Sequence, residues 1–71
     1  MKEYKVECKT RYIENEKWWM VGELYNTIEE AKERMEQEKR YDKYYKKNPE
    51  DWIYRIMVRD VPDWEIYKDG N

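Results

Sequence analysis

The segment Glu-Tyr-Lys-Val-Glu-Cys-Lys-Thr-Arg-Tyr, Glu3 to Tyr12, alternates at every step. Tyr4, Val6, Cys8, Thr10 and Tyr12 fall on one side, and Glu3, Lys5, Glu7, Lys9 and Arg11 on the other. Successive strand residues point to opposite faces, so this period of two predicts a strand with one buried face and one salt-laced face. Polar Glu14-Asn15-Glu16-Lys17 then has the length of a hairpin loop. Trp18 to Tyr25 reads as the returning strand, with Trp18, Met20 and Leu24 on one side and Trp19, Val21 and Tyr25 on the other.

Thr27-Ile28-Glu29-Glu30 fits a capping box, although Asn26 could serve as the cap instead. The helix that follows carries Ile28, Ala31, Met35 and, further on, Tyr45 toward a core. Glu30 with Arg34 and Glu36 with Arg40 stand at ion-pairing distance along its outer face. Asn48-Pro49 is the expected stop, because the residue before proline is pushed out of the helical region. Trp52 to Val61 alternates again: Trp52, Tyr54, Ile56 and Val58 against Ile53, Arg55, Met57 and Arg59. Pro62-Asp63 breaks it, Trp64 to Tyr67 offers a short last strand, and 68–71 are expected to fray.

The expected fold is therefore α+β, in the order β-β-α-β(-β), over residues 1–71 as a single domain. A hairpin followed by a helical crossover most simply makes a three-stranded antiparallel sheet ordered 2-1-3, with the helix on one face.

A domain of 71 residues has little core of its own. Such chains bury only about 60% of their unfolded surface and usually need reinforcement. Cys8 is the only cysteine and there is no histidine, so neither a disulfide within the chain nor a Cys/His metal site is expected, and no cofactor is implied. The reinforcement on offer is aromatic: four tryptophans and eight tyrosines. One helical stripe is too narrow to shield them all, and large uncovered apolar patches usually mark interaction surfaces. Trp18, Trp19, Trp52, Tyr54 and Trp64 are accordingly the expected partner-binding residues, for a second copy of the chain or for a foreign protein. The competing expectation is that Trp64 and Ile66 fold back over the open sheet face of a monomer.

A second candidate surface is Lys39 to Lys47, where cations interleave with tyrosines. Tyr41 and Tyr44 fall away from the Ile28–Met35 stripe at about 100° per residue, so they lie on the surface or mark a bend. Arg40, Tyr41, Lys43, Tyr44, Lys46 and Lys47 are the ingredients of a nucleotide or nucleic-acid surface that stacks bases and contacts phosphates. Cations near a helix C-terminus also favour the helix dipole without any ligand. Ahead of this basic end, Glu14 to Glu38 holds eight glutamates against Lys17, Lys32 and Arg34, which makes the chain electrically polar.

An enzyme is not expected. The usual general base and the commonest hydroxyl nucleophile, histidine and serine, are both missing. Cys8 is placed mid-strand beside Val6, as a small buried hydrophobe. Asp60 and Asp63 flank Val61-Pro62 as two carboxylates with no further ligands around them. No apolar run reaches the ~20 residues of a membrane span, and the lone thiol suits a reducing compartment, so a cytoplasmic location is expected.

The run Trp18-Trp19 through Leu24-Tyr25, then Thr27-Ile28-Glu29-Glu30-Ala31, then Trp52-Ile53-Tyr54-Arg55-Ile56, resembles the short β-β-α-β accessory proteins of bacteriophages and other mobile elements. That resemblance implies an inhibitor which blocks a host protein, such as a defence factor, by direct contact in the host cytoplasm. It carries no residue-level roles.

Overall fold

The computed structural model describes residues 2–12, 17–60 and 63–68. The elements are β1 (Glu3–Thr10), β2 (Trp19–Tyr25), α1 (Ile28–Tyr45), a one-turn 3-10 helix (Pro49–Asp51), β3 (Trp52–Arg59) and β4 (Glu65–Ile66). Most of the hairpin loop, the Val61-Pro62 break and residues 69–71 of the tail lie outside the described residues.

The clean alternation of β1 makes it the centre of the sheet. It pairs antiparallel with β2 on one side and β3 on the other, and β4 adds to the outer edge of β3, giving β2-β1-β3-β4. The expected 2-1-3 order is thus present, extended by the short last strand. Register puts Val6 opposite Ile56 and Cys8 opposite Tyr54, so Tyr4, Val6, Cys8, Tyr54 and Ile56 share the face beneath α1. Val6, Ala31 and Ile56 form the buried centre, with Tyr4, Val21, Tyr25, Ile28, Met35, Tyr54 and Tyr67 packed around them. Cys8 is a buried thiol on this face.

Five elements are shorter than their sequence patterns. β3 ends at Arg59, with Asp60 already outside it, and β4 keeps only Glu65–Ile66 of the stretch from Trp64 to Tyr67. β1 stops at Thr10 because its continuation meets the 3-10 turn instead of a strand, with the Arg11 amide donating to the Asp51 carbonyl at 2.7 Å. β2 begins at Trp19 rather than Trp18. The helix ends at Tyr45, before the proline stop, where Lys46 turns extended while its N–H still donates to the Asp42 carbonyl.

At its other end Thr27, not Asn26, is the cap. Its Oγ1 accepts from the Glu30 amide at 3.2 Å, and its hydroxyl donates to Glu30 Oε1 at 3.0 Å. That use of Glu30 changes the expected ion pairing. Arg34 pairs with Glu38 at 2.6 Å instead, and Glu36 with Lys39 at 4.0 Å. Tyr45 is not the core residue expected; Asp42 takes the buried place on the stripe.

Strand β2 is not a regular strand throughout. Tyr4 faces Tyr25 while Val6 faces Val21, so four steps of β2 span two of β1. The bulge is made at Gly22, whose φ of +80° suits glycine and strains any other residue. A Cβ there would also stand 2.7 Å from the Tyr25 hydroxyl and 3.3 Å from Arg34 Nε. Gly22→Ala is expected to cost about 1–2 kcal/mol, the sum of the left-handed backbone and the displaced Tyr25 ring. In a domain this small that lowers Tm by roughly 5–15 °C. An unchanged Tm on thermal unfolding by circular dichroism would show that the bulge is not held in this form.

Candidate interaction surfaces

The sheet face away from α1 is not the bare apolar surface that the tryptophan count suggested. It carries Glu3, Lys5, Glu7 and Lys9 beside Ile53, Arg55, Met57 and Arg59. Arg55 donates from both Nε and Nη2 to Glu7 Oε1, at 2.8 and 2.7 Å. Arg59 engages Glu3 in the same way at 3.0 and 2.9 Å, and Lys5 reaches Glu7 at 3.3 Å. Two tryptophans from the flanking segments then lie over the cations. The Trp18 ring stacks 4.1 Å from the Arg55 guanidinium, and Trp64 lies 4.6 Å from that of Arg59 and 4.3 Å from Lys5 Nζ. Such contacts are favourable because the ring face is electron-rich. Glu7 and Met57 are consequently buried on a face that no helix covers. Trp18 and Trp64 are half-buried, and each already holds a cation of its own chain.

On the helix face, Trp19 and Trp52 approach at 6.2 Å between ring centres. Lys46 Nζ sits 3.5 Å above the Trp52 ring and pairs with Asp42 at 3.0 Å. The Tyr54 hydroxyl donates to the other oxygen of Asp42. Burial, with the Asp42 carboxylate behind it, holds the Tyr54 phenol well above its ordinary pKa. Beside this cluster an open groove of about 540 Å³ runs between the end of α1 and β3, with Lys39, Lys43 and Glu50 at its rim. Tyr54 and Lys46 therefore bind each other's neighbour inside the fold and are not spare for a ligand.

A cluster of uncovered aromatics lies at the end of α1. Tyr41, Tyr44 and Tyr45 are 55%, 85% and 74% exposed. Tyr45 contacts both of the others, with ring centres 4.7 Å apart for Tyr41–Tyr45 and 6.3 Å for Tyr44–Tyr45. No bend accounts for their exposure, since all three belong to one continuous helix. Arg40, Lys43 and Tyr44 line a shallow hollow of about 380 Å³.

Of the six residues expected to form a basic aromatic surface, Arg40, Tyr41, Lys43 and Tyr44 are brought together here. Lys46 is drawn away to Trp52 and Asp42, and Lys47 is exposed beyond the helix. Tyr45 belongs to the cluster, although its position on the stripe points toward the core. The i,i+4 spacing of Tyr41 and Tyr45 was the available signal for their contact.

The outer strand β2 is the second exposed surface, with Trp19, Met20 and Leu24 all about half uncovered. Asp60 and Asp63 are both exposed, and the two residues between them lie outside the described part. Among the described residues, no three His, Cys, Asp or Glu side chains are grouped to hold a metal ion. No described helix is long and apolar enough to cross a membrane. Comparison with protein-family models, curated proteins and solved structures finds no match to the chain.

Proposed function

We propose that the chain is a non-enzymatic binding protein that acts by protein–protein contact, with the tyrosine end of α1 as its contact surface. In keeping with the accessory proteins it resembles, it blocks a host protein in the host cytoplasm. The observation that carries this reading is the cluster of Tyr41, Tyr44 and Tyr45, in which Tyr45 contacts both other rings, exposed on the last turns of a helix. Tyrosine offers large contact area for little lost side-chain freedom, and Tyr and Arg are enriched where binding energy concentrates. Arg40 and Lys43 beside the rings favour an acidic partner surface.

Nucleic acid is the second reading, favoured by the same rings and cations. It is the weaker one because Lys46 is spent on Asp42 and Trp52 and Lys39 leans on Glu36. Single-strand binding relies on a basic groove that tracks several phosphates.

The test places a photo-crosslinking residue at Tyr44, and in a control at Glu33 on the exposed back of the helix, in cells of a bacterial host. A protein captured from Tyr44 and not from Glu33 is then purified. Its affinity is expected to fall at least about tenfold in the Tyr44→Ala/Tyr45→Ala variant, as for hot-spot residues. Unchanged affinity in that folded variant rejects the surface. A labelled single-stranded oligonucleotide that binds instead, with affinity collapsing between about 50 and 200 mM salt, moves the assignment to nucleic acid.

A further inference from the structure

The two edges of the sheet are built differently. β4 is two residues long, and short edge strands resist further pairing. β2 is seven residues long and contains neither lysine nor proline, the usual edge guards. Every second residue of an edge strand turns its N–H and C=O away from the sheet. Along β2 that unpaired backbone is flanked by Trp19, Met20 and Leu24, which are 48%, 53% and 44% exposed.

We propose that β2 pairs antiparallel with β2 of a second copy about a twofold axis at Gly22, joining two sheets into one of eight strands. The occupant follows from self-complementarity. With Gly22 opposite its own copy, Met20 faces Leu24 of the partner copy and Trp19 faces Tyr25, so the exposed apolar residues meet each other. Glu23, the only charge in the strand, faces Val21 rather than another glutamate. Cross-strand pairs of this kind are the unit of sheet stability.

Closure follows from the edges. One long edge per molecule, used isologously, ends the assembly at two copies, whereas two adhesive edges would propagate. The exposed parts of the three side chains amount to on the order of 300 Å² per copy, below the ~800 Å² per partner of standard interfaces. The Gly22 bulge further divides the ladder into two short halves. The dimer is accordingly reversible, dissociating at micromolar concentrations. The twofold axis passes through the sheet, so both helices lie on one side and run oppositely. Their tyrosine clusters then stand at opposite ends of one face, an arrangement for bivalent capture.

Light scattering after size exclusion, over a dilution series from about 1 mM to 1 μM, is expected to show a dimer giving way to monomer. Met20→Lys and Leu24→Glu, both at exposed positions, should each be monomeric throughout, with far-ultraviolet circular dichroism and Tm unchanged at dilutions where the unmodified chain is also monomeric. Tyr44→Ala should dimerise normally, which separates this interface from the partner surface. Register is read by mixing Met20→Cys and Leu24→Cys chains under mild oxidation, where the mixed disulfide should exceed either self-paired one. A monomer at every concentration, a dimer that survives both edge variants, or a preference for self-paired disulfides would each overturn the proposal.

Discussion

Asp42→Ala is expected to destabilise the fold by about 2–4 kcal/mol, a large share of the total for a domain of this size. Asp42 is 2% exposed, and the cost of removing it comes from what it leaves behind. The Tyr54 hydroxyl and the Lys46 ammonium both end on its carboxylate. Without it, a buried donor and a cation against the Trp52 ring lose their shared acceptor, and the last turn of α1 loses its tie to β3. Asp42→Asn keeps the volume and one acceptor and should recover part of the loss. Urea unfolding followed by tryptophan fluorescence measures all of this. A cost below about 0.5 kcal/mol for Asp42→Ala would mean the helix end is not pinned here.

The same cluster gives stability a pH dependence with a definite sign. The Tyr54 phenol is held above its ordinary value, chiefly by burial and then by Asp42. The folded state therefore keeps this proton more tightly than the unfolded chain does. The resulting stabilisation is fully present below the unfolded tyrosine pKa of about 10, and is lost progressively as pH rises above it. Tyr54→Phe should lower stability at neutral pH by about 1–2 kcal/mol and remove this alkaline component. An unaltered slope above pH ~10 in Tyr54→Phe would assign the alkaline loss to other groups.

How far the chain could be read in advance depended on whether a feature repeats. The strands were legible because a period of two in Glu3–Tyr12 and Trp52–Val61 leaves each side chain only one face to occupy. The topology followed from a hairpin and one helix, and the exposure of Tyr41 and Tyr44 from their angle to Ile28 and Met35.

The features that stayed hidden are single events in three dimensions. Two tryptophans outside the strands close over Arg55 and Arg59, which no alternation announces. Gly22 inserts a bulge into a run that carries apolar residues on both sides, so no alternation marks where it falls. Asp42 did leave a trace, an acid seven residues beyond Met35 on an otherwise apolar stripe. Reading that position as core requires knowing that Tyr54 and Lys46 converge on it.

The covered sheet face supplies a comparison in which the burial of the acidic partner sets the outcome. Arg55 and Arg59 sit two residues apart on β3, each grips one β1 glutamate with two donors, and each lies under one tryptophan. Their partners differ. The Glu7 side chain is 10% exposed and that of Glu3 is 36% exposed. Arg55→Ala strips the main partner from a carboxylate that is largely shielded from water, leaving Lys5 at 3.3 Å as its remaining cation. About 3–4 kcal/mol is expected, since breaking a buried pair costs the desolvation of the survivor. Arg59→Ala leaves Glu3 free to rehydrate, so its cost should stay near 1 kcal/mol, mostly lost packing on Trp64. In the double variant Glu7→Leu/Arg55→Met the charge is gone from both sides, and most of the loss should return. Denaturant midpoints at constant m-value give the three numbers. Equal costs for the two arginines would place the stability of this face in the stacked tryptophans, and not in the burial of Glu7.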